Sequence, residues 1–413
     1  MARLRGFEKL TDVDEALTIF YRSLKPKVLA SESILTENAL RRVTAENIAA
    51  PIDLPQFNRS AVDGYAVKAE DTTEASQSRP RILKLTVKEN LGRGQAKQIW
   101  TGNPTPRNAD AVVMLEHTCT KDNTIEIIVP LTPGENVSKK GEDVKKGEMA
   151  VKAGTRLQPH HLALLAALGV TEVAVVRKPK IAILSTGNEL IELGTKPSSN
   201  QIVNSNRYLI AGLCHELGAD PMYMGIVRDN ENEIASKINE GLEKADIVIT
   251  TGGTSVGVAD LVPLVVEKLG RPGIVVHGIA LRPGMPTALG ALKGKPVFVL
   301  SGNPVAAAVG FEVFVRPTVL KMLGTEAEPR PWAQARLTRR VAGALGRRVY
   351  LRVRTEWRKA ELVAEPVSTR GSGLLSSLTK ANGYVVIPED REGLEKGETV
   401  TVQIFSPIYT EEK

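Results

Sequence analysis

DIVITTGGTSVGVADLVPLVVEKLG, residues 246–270, reads as a buried strand, a glycine-rich turn and a helix. Its strand portion is apolar without alternation, as a strand covered on both faces requires. The turn that follows carries Thr250, Thr251, Gly252, Gly253, Thr254, Ser255, Val256 and Gly257. Glycines let the backbone approach a ligand and turn its N–H groups inward, and hydroxyls add donors. Such a turn is built to hold an anionic, phosphate-bearing small molecule.

The same alternation extends on both sides. IAILSTG, PMYMGIV, GIVVHGIAL and PVFVLSGNP read as strands, with helices at residues 208–218, 232–245 and 305–323. Alternating strands and helices predict a mostly parallel sheet covered by helices, an α/β domain at residues 177–326. Ligands bind such sheets at the carboxyl ends of their strands. Three strand ends here are polar and glycine-rich. One is Ser185-Thr186-Gly187-Asn188-Glu189, the second is the opening loop, and the third is Ser301-Gly302-Asn303-Pro304. Asn303 and Pro304 read as N-cap and first residue of the next helix, where free N–H groups can meet an anion. Each loop alone could be a simple turn; three on one sheet point to a binding edge. Neither GxxxxGK[ST] nor GxGxxG between strand and helix occurs, which argues against a Walker ATPase or a dinucleotide dehydrogenase.

Carboxylates gather at the same edge: Glu189, Asp229 and Asp260. Beside a phosphate they repel both the ligand and one another. A divalent cation relieves that conflict, and Mg²⁺ suits one or two carboxylates plus phosphate oxygens. Arg282-Pro283-Gly284, after the strand GIVVHGIAL, offers a positive partner for an oxyanion.

Outside this domain the texture differs. The first forty residues read as helical, and a second helix is expected over residues 37–49. Short alternating or apolar runs then mark an inserted β domain at 51–139. Residues 159–168 return to a helix, so 1–50 and 140–176 are expected to pack together as a discontinuous helical, extended domain. Residues 327–413 are expected to form a small C-terminal β-barrel. Two polar clusters flank the inserted domain, one around Asp63 and the other from Gly134 to Asp143; Thr101 follows Ile99-Trp100. By bare chemistry all three are ordinary turns.

Composition bounds the function. The chain has 413 residues, 42% hydrophobic and 24% charged, which fits a soluble protein of roughly three domains. Its net charge of +7 fits an anionic ligand. In the densest basic stretch, residues 339–359, Arg352 and Arg354 alternate with Leu351 and Val353, and this reads as the wet face of a strand rather than a nucleic-acid surface. No apolar run is long enough to span a bilayer, and the N-terminal residues MARLRGFEKLTDVDEAL offer none suited to a signal peptide. Only Cys119 and Cys214 occur, without a CxxC, and His117, His160, His161, His215 and His277 lack metal-binding spacing. A cytoplasmic protein without structural zinc is expected, with no nucleic-acid or membrane partner.

Seven segments occur in the order NRSAVDGYAV, IWTGNPTPRNADAVVMLE, GENVSKKGEDV, ILSTGNEL, ITTGGTSVGVAD, LSGNPVAA and GSGLLSSLTKANGYVVIP. Together they resemble the molybdopterin molybdenumtransferase (MoeA) family, also found as the E domain of gephyrin-type proteins. The resemblance implies a central three-layer molybdopterin-binding α/β domain and insertion of molybdenum from molybdate, or of tungsten from tungstate, into adenylylated molybdopterin. It also implies Mg²⁺-dependent hydrolysis of the adenylate with release of AMP. A homodimer is implied, its cleft shared between subunits, with an upstream adenylyltransferase and downstream molybdoenzymes as partners. By motif match Asp63, Thr101, Asp143, Glu189, Asp229 and Asp260 fall on functionally sensitive positions, Asp229 and Asp260 as the Mg²⁺ ligands. Ser185, Gly187, Thr250, Gly252, Gly253, Ser255, Gly257, Arg282, Pro283, Gly284, Ser301, Gly302, Asn303 and Pro304 would line the substrate pocket. The chain departs from the family in lysine content: Gly278, Arg282 and Met285 stand around the PGKP-type turn, Ser138 precedes Lys139, and Ser301 replaces a proline. A gephyrin-like scaffold that binds molybdopterin without turnover is the alternative.

Overall fold

The computed structural model describes residues 10–253, 261–325, 328–368 and 373–410. The chain forms two compact units, one of residues 33–175 and the other of the segments on either side of it.

The second unit begins with helix α1, Val13–Leu24, whose buried residues Val13, Ala16, Phe20 and Leu24 fall on one helical face. Asp12 caps it, its Oδ1 accepting from the N–H groups of Asp14 at 2.8 Å and Glu15 at 3.3 Å. The helix was expected to pack with residues 140–176; instead its Phe20 ring lies 5.4 Å from that of Phe298 in the α/β sheet.

That sheet is built from β1 (Lys180–Thr186), β2 (Asp220–Val227), β3 (Ile247–Thr251), β4 (Pro272–His277), β5 (Ala288–Leu292) and β6 (Lys295–Leu300). Their spatial order is β2-β1-β3-β6-β5-β4. The pairs β2–β1, β1–β3 and β3–β6 are parallel, whereas β6–β5 and β5–β4 are antiparallel. Helices α2 (Asn206–Glu216), α3 (Glu231–Lys244), α4 (Leu261–Leu269) and α5 (Pro304–Gly310) belong to the same domain. Ile181, Ile183, Ile247, Ile249 and Phe298 have no exposed surface, which accounts for strands apolar on both faces. The β5 strand, Ala-Leu-Gly-Ala-Leu, carries no β-branched residue and sends no strand signal of its own. It forms by pairing back on β6 through a turn with Lys293 and Gly294 at positive φ.

After α5 a π-helical turn, Phe311–Val315, leads into the helix Arg316–Leu323. The chain then closes a five-stranded barrel from Trp332–Leu337, Arg348–Arg358, Glu361–Ser368, Gly383–Ile387 and Thr399–Ile404. The wet-face reading holds for exposed Arg354 but not for Arg352, which is 4% exposed. The period of two is kept, with Leu351 and Val353 in the barrel core and Arg352 on the opposite face, where its cross-strand neighbour Tyr384 is itself buried.

In the unit of residues 33–175, strands Ala111–Met114, Gly64–Val67, Gln95–Ile99, Arg81–Leu85, Thr124–Ile127 and Thr118–Lys121 make one mixed sheet in that order. The helix expected over residues 37–49 is absent apart from a single 3-10 turn, Thr36–Asn38. Arg41 takes positive φ, and Val43 and Thr44 bridge to Arg156 and Val175 in extended conformation. The Thr44 hydroxyl donates to the Lys152 carbonyl at 2.7 Å, an alternative to helical pairing that hydroxyl residues favour.

The helix Pro159–Ala167 forms as expected, with Gln158 at its N-cap and a histidine closing the capping box from the third helical position. His161 Nδ1 accepts the Gln158 N–H at 2.9 Å, which requires the ring to be neutral there. Burial first, and then neighbouring His160, hold its pKa below the ordinary value. A depressed histidine pKa means that the unfolded chain binds the proton more readily. The cap's contribution is therefore complete above pH ~6.5 and is lost as pH falls through the depressed folded value. The protection factors of the first-turn amides, which are exchange rates taken relative to the intrinsic rate at each pH, should fall between pH 7 and pH 5.5 in the native chain. His161→Asn, which keeps an acceptor that does not titrate, should flatten that dependence; an equal slope in both proteins would remove His161 as its source.

Candidate active site

Three strand ends meet in the α/β domain and line a cavity of about 740 Å³, a size suited to a small-molecule ligand. The β1 end supplies Thr186, Gly187 and Glu189, and the β3 end supplies Thr251, Gly252 and Gly253. The β6 end supplies Ser301, Gly302, Asn303 and Pro304. Asp229, just past β2, also lines it.

The glycines are required by space as much as by backbone angle. A Cβ on Gly252 would lie 2.3 Å from the Thr186 carbonyl oxygen, and one on Gly253 would lie 2.5 Å from Val262 Cγ2. Both have positive φ, at 96° and 65°. The Gly252 N–H donates to the Leu300 carbonyl at 3.1 Å, which ties the β3 turn to β6. Across the other side, the Asn188 N–H donates to Asp229 Oδ2 at 3.4 Å and the Asp229 N–H to Asn188 Oδ1 at 3.2 Å. These reciprocal bonds hold the loops after β1 and β2 together, so Glu189 and Asp229 share one rim. Asn303 sits at the N-cap of α5 without spending its side chain on a capping bond.

The expected residues divide into groups. Glu189, Asp229, Gly187, Gly252, Gly253, Ser301, Gly302, Asn303 and Pro304 are brought together. Ser185 and Thr250 are fully buried one residue earlier, and the terminal strand residues Thr186 and Thr251 reach the cavity in their place. Arg282, Pro283 and Gly284 do not line it; Leu281–Arg282 pairs with the barrel strand at Arg348 and Val349, and Pro286 supplies the wall instead. Ser255, Gly257 and Asp260 lie outside the described residues. Sequence reasoning did not single out Asn204, Ser205 and Asn206, which form another wall. Their signal, three polar residues directly before a helix, is also that of an ordinary helix start. Gly373 and Leu375, from the GSGLL segment, line the cavity too.

No lysine or arginine stands among the described lining residues, whereas two carboxylates do. An anionic ligand here meets N–H groups and hydroxyls, and its charge is opposed by Glu189 and Asp229. Among the described residues no cluster of three metal-ligating side chains occurs. Two carboxylates with room for phosphate oxygens nevertheless fit the modest protein donor set that Mg²⁺ takes.

The unit of residues 33–175 holds a separate polar cluster. Asp63 Oδ1 accepts from both the Thr101 N–H and the Thr101 hydroxyl, each at 2.7 Å. Those two bonds, the backbone one first, hold the Asp63 carboxyl below its ordinary pKa. Gly64 is obligatory beside it, since a Cβ there would lie 1.8 Å from the Val113 carbonyl oxygen. The Lys140 N–H donates to Asn58 Oδ1 at 2.8 Å, which joins the turn carrying exposed Asp143 to the Asn58 segment.

A strand-end site in a doubly covered α/β sheet, joined to a closed barrel and accompanied by an inserted β unit, defines a small-molecule enzyme of several domains. Family models match the chain in three consecutive parts. These are the MoeA N-terminal region (domain I and II) at residues 11–169, a probable molybdopterin binding domain at 182–321, and the MoeA C-terminal region (domain IV) at 334–405. A molybdopterin biosynthesis protein of Methanocaldococcus jannaschii is 42% identical over 89% of this chain and 90% of its own length. The molybdopterin molybdenumtransferase of Bacillus subtilis is 36% identical over 91% of this chain and 90% of its own. The crystal structure of a molybdopterin biosynthesis MoeA protein from Pyrococcus horikoshii superposes with a TM-score of 0.81 at 38% identity, covering 97% of this chain and 100% of that one. The chain belongs to the MoeA family, transferase enzymes of molybdenum cofactor biosynthesis.

Proposed function

We propose that the cavity binds adenylylated molybdopterin, that the adenylate is hydrolysed there to release AMP, and that molybdenum from molybdate, or tungsten from tungstate, enters the pterin dithiolene. One observation carries the reading: two carboxylates face a glycine-lined cavity that has no cationic lining residue among those described. Asp229, with Asp260 as the family pattern implies, would hold Mg²⁺. When bound, Mg²⁺ supplies the positive charge that lets an anionic phosphate linkage sit beside carboxylates, and it polarises that linkage for attack by water. Gly253 and Gly302 present backbone N–H groups to the phosphates, while the Gly252 N–H, bonded to the Leu300 carbonyl, fixes the turn that carries them. Glu189 faces the same volume and is positioned to accept a proton from water.

The Asp63–Thr101 pair and Asp143 form the second half of the machinery, used in a homodimer in the cytoplasm. The inserted, α/β and C-terminal domains span 51–139, 177–326 and 327–413. An adenylyltransferase supplies the substrate, and molybdoenzymes receive the product.

The test is incubation with adenylylated molybdopterin, Mg²⁺ and either molybdate or tungstate, following AMP release and metal retention. AMP release with either oxyanion is expected. Asp229→Asn should lower it by about two orders of magnitude, roughly 2.7 kcal/mol of transition-state stabilisation, and should raise the Mg²⁺ concentration required. Tight pterin binding without AMP release by the native protein would sink this reading and support the gephyrin-like scaffold.

A further inference from the structure

Behind the Asn204–Asn206 wall lies a set of side chains that the proposed chemistry does not use. Tyr223, on β2, donates its hydroxyl to Glu192 Oε1 at 2.6 Å and accepts from Asn204 Nδ2 at 3.1 Å. Arg207 Nη1 donates to the other carboxylate oxygen, Glu192 Oε2, at 3.0 Å. Its guanidinium lies 3.9 Å from the Tyr223 ring centroid, within cation–π range. The circuit closes through the backbone: the Arg207 N–H donates to Asn204 Oδ1 at 3.3 Å, and the Asn204 N–H donates to the Ile191 carbonyl at 2.9 Å.

Direction matters in this ring. A tyrosine hydroxyl has one proton to give, and the carboxylate takes it. The Asn204 amide must therefore present its N–H₂ to the phenol and its oxygen to Arg207. That fixes the amide of a residue only 2% exposed. Two positions on, Asn206 Nδ2 donates to the Gly302 carbonyl at 2.8 Å. The ring thus holds one wall directly and, through Asn206, the turn at the end of β6.

We infer that Glu192, Arg207 and Tyr223 are positioning residues that set the Ile202–Asn206 wall and the Gly302 turn for the phosphate-bearing substrate. This rests on the reading of the cavity given above. None of the three needs to touch the substrate. Their removal leaves the carboxylates and the glycine turn in place but lets the wall and the β6 turn move, so binding suffers more than the chemical step.

Two measurements on the full chain test this. The first is amide hydrogen exchange without ligand. Tyr223→Phe and Glu192→Gln should each speed exchange at residues 202–207 and at Gly302 by about tenfold, with the core of α3 unchanged. The second is steady-state AMP release, where KM for adenylylated molybdopterin should rise about fivefold to tenfold while kcat stays within about twofold. Glu192→Gln, which keeps an acceptor for Tyr223 but weakens the Arg207 contact, should lie nearer the native protein than Glu192→Ala. Unchanged exchange in both Tyr223→Phe and Glu192→Gln would overturn the positioning role. Faster exchange with an unchanged KM would overturn its bearing on substrate. Absence of AMP release from the native chain would instead refute the functional reading, while the exchange experiment would still judge the ring.

Discussion

Gly252→Ala should abolish useful turnover, with AMP release falling by about 100-fold or more, because displacing a phosphate cradle by about 1 Å costs on that order. The methyl would lie 2.3 Å from the Thr186 carbonyl oxygen, so either the β3 turn or the end of β1 has to give way. Both line the cavity. Backbone strain alone is not the cause, and a control separates the two effects. Gly294, in the turn between β5 and β6, also has positive φ, but a Cβ there meets nothing within 4 Å. Gly294→Ala should lower stability by only about 1–2 kcal/mol, the cost of left-handed backbone for an alanine, with activity preserved. If the two variants released AMP at equal rates, the close approach of β1 and β3 would not matter to the site.

Arg330→Ala should destabilise the unit outside residues 33–175 by about 3–5 kcal/mol, read from the urea midpoint. Arg330 Nε and Nη2 donate to the two carboxylate oxygens of Glu312 at 3.0 and 2.8 Å. Glu312 sits in the π-helical turn Phe311–Val315, and Arg330 stands just before the first barrel strand. Their side chains are 11% and 18% exposed. Removing the arginine strands a largely buried carboxylate, although Arg316 Nε at 3.4 Å offers partial relief. Replacing both partners with apolar residues, as in Glu312→Met with Arg330→Leu, should recover part of the loss, since the carboxylate is no longer stranded, while Arg316, 13% exposed, still loses its contact with Glu312. A loss below about 1 kcal/mol for Arg330→Ala would show that the pair is already solvated.

The strands that build the site were legible because burial on both faces demands long apolar runs, as in Ile181 to Leu184 and Ile247 to Ile249. The binding edge was legible because glycine and hydroxyl residues end three of them. Other features depend on partners distant in sequence. β5 exists only through its pairing with β6 and β4, and Arg352 lies on the face away from the barrel core, beside buried Tyr384 on a strand some thirty positions on, which no local pattern announces. The helix expected over residues 37–49 lost to bridges with Arg156 and Val175, more than a hundred positions away. Within the site, Asn204 to Asn206 looked like any helix start. Their role shows only when β2 brings Tyr223 alongside Glu192 and Asn204. Arg282 failed to reach the cavity because its short strand pairs with the barrel.

The packing of α1 has a consequence for biosynthesis. Phe20 is made early, but the ring it meets, Phe298, follows almost 280 residues later. At about 5–20 residues per second, a ribosome takes roughly 15–55 s to close that gap. For most of that interval the apolar stripe of Val13, Ala16, Phe20 and Leu24 stands outside the exit tunnel with its sheet incomplete. The unit of residues 33–175 is complete in sequence well before then and can fold first. The nascent chain therefore carries one finished module tethered to an uncovered amphipathic segment, a natural client for a holdase chaperone until β6 emerges.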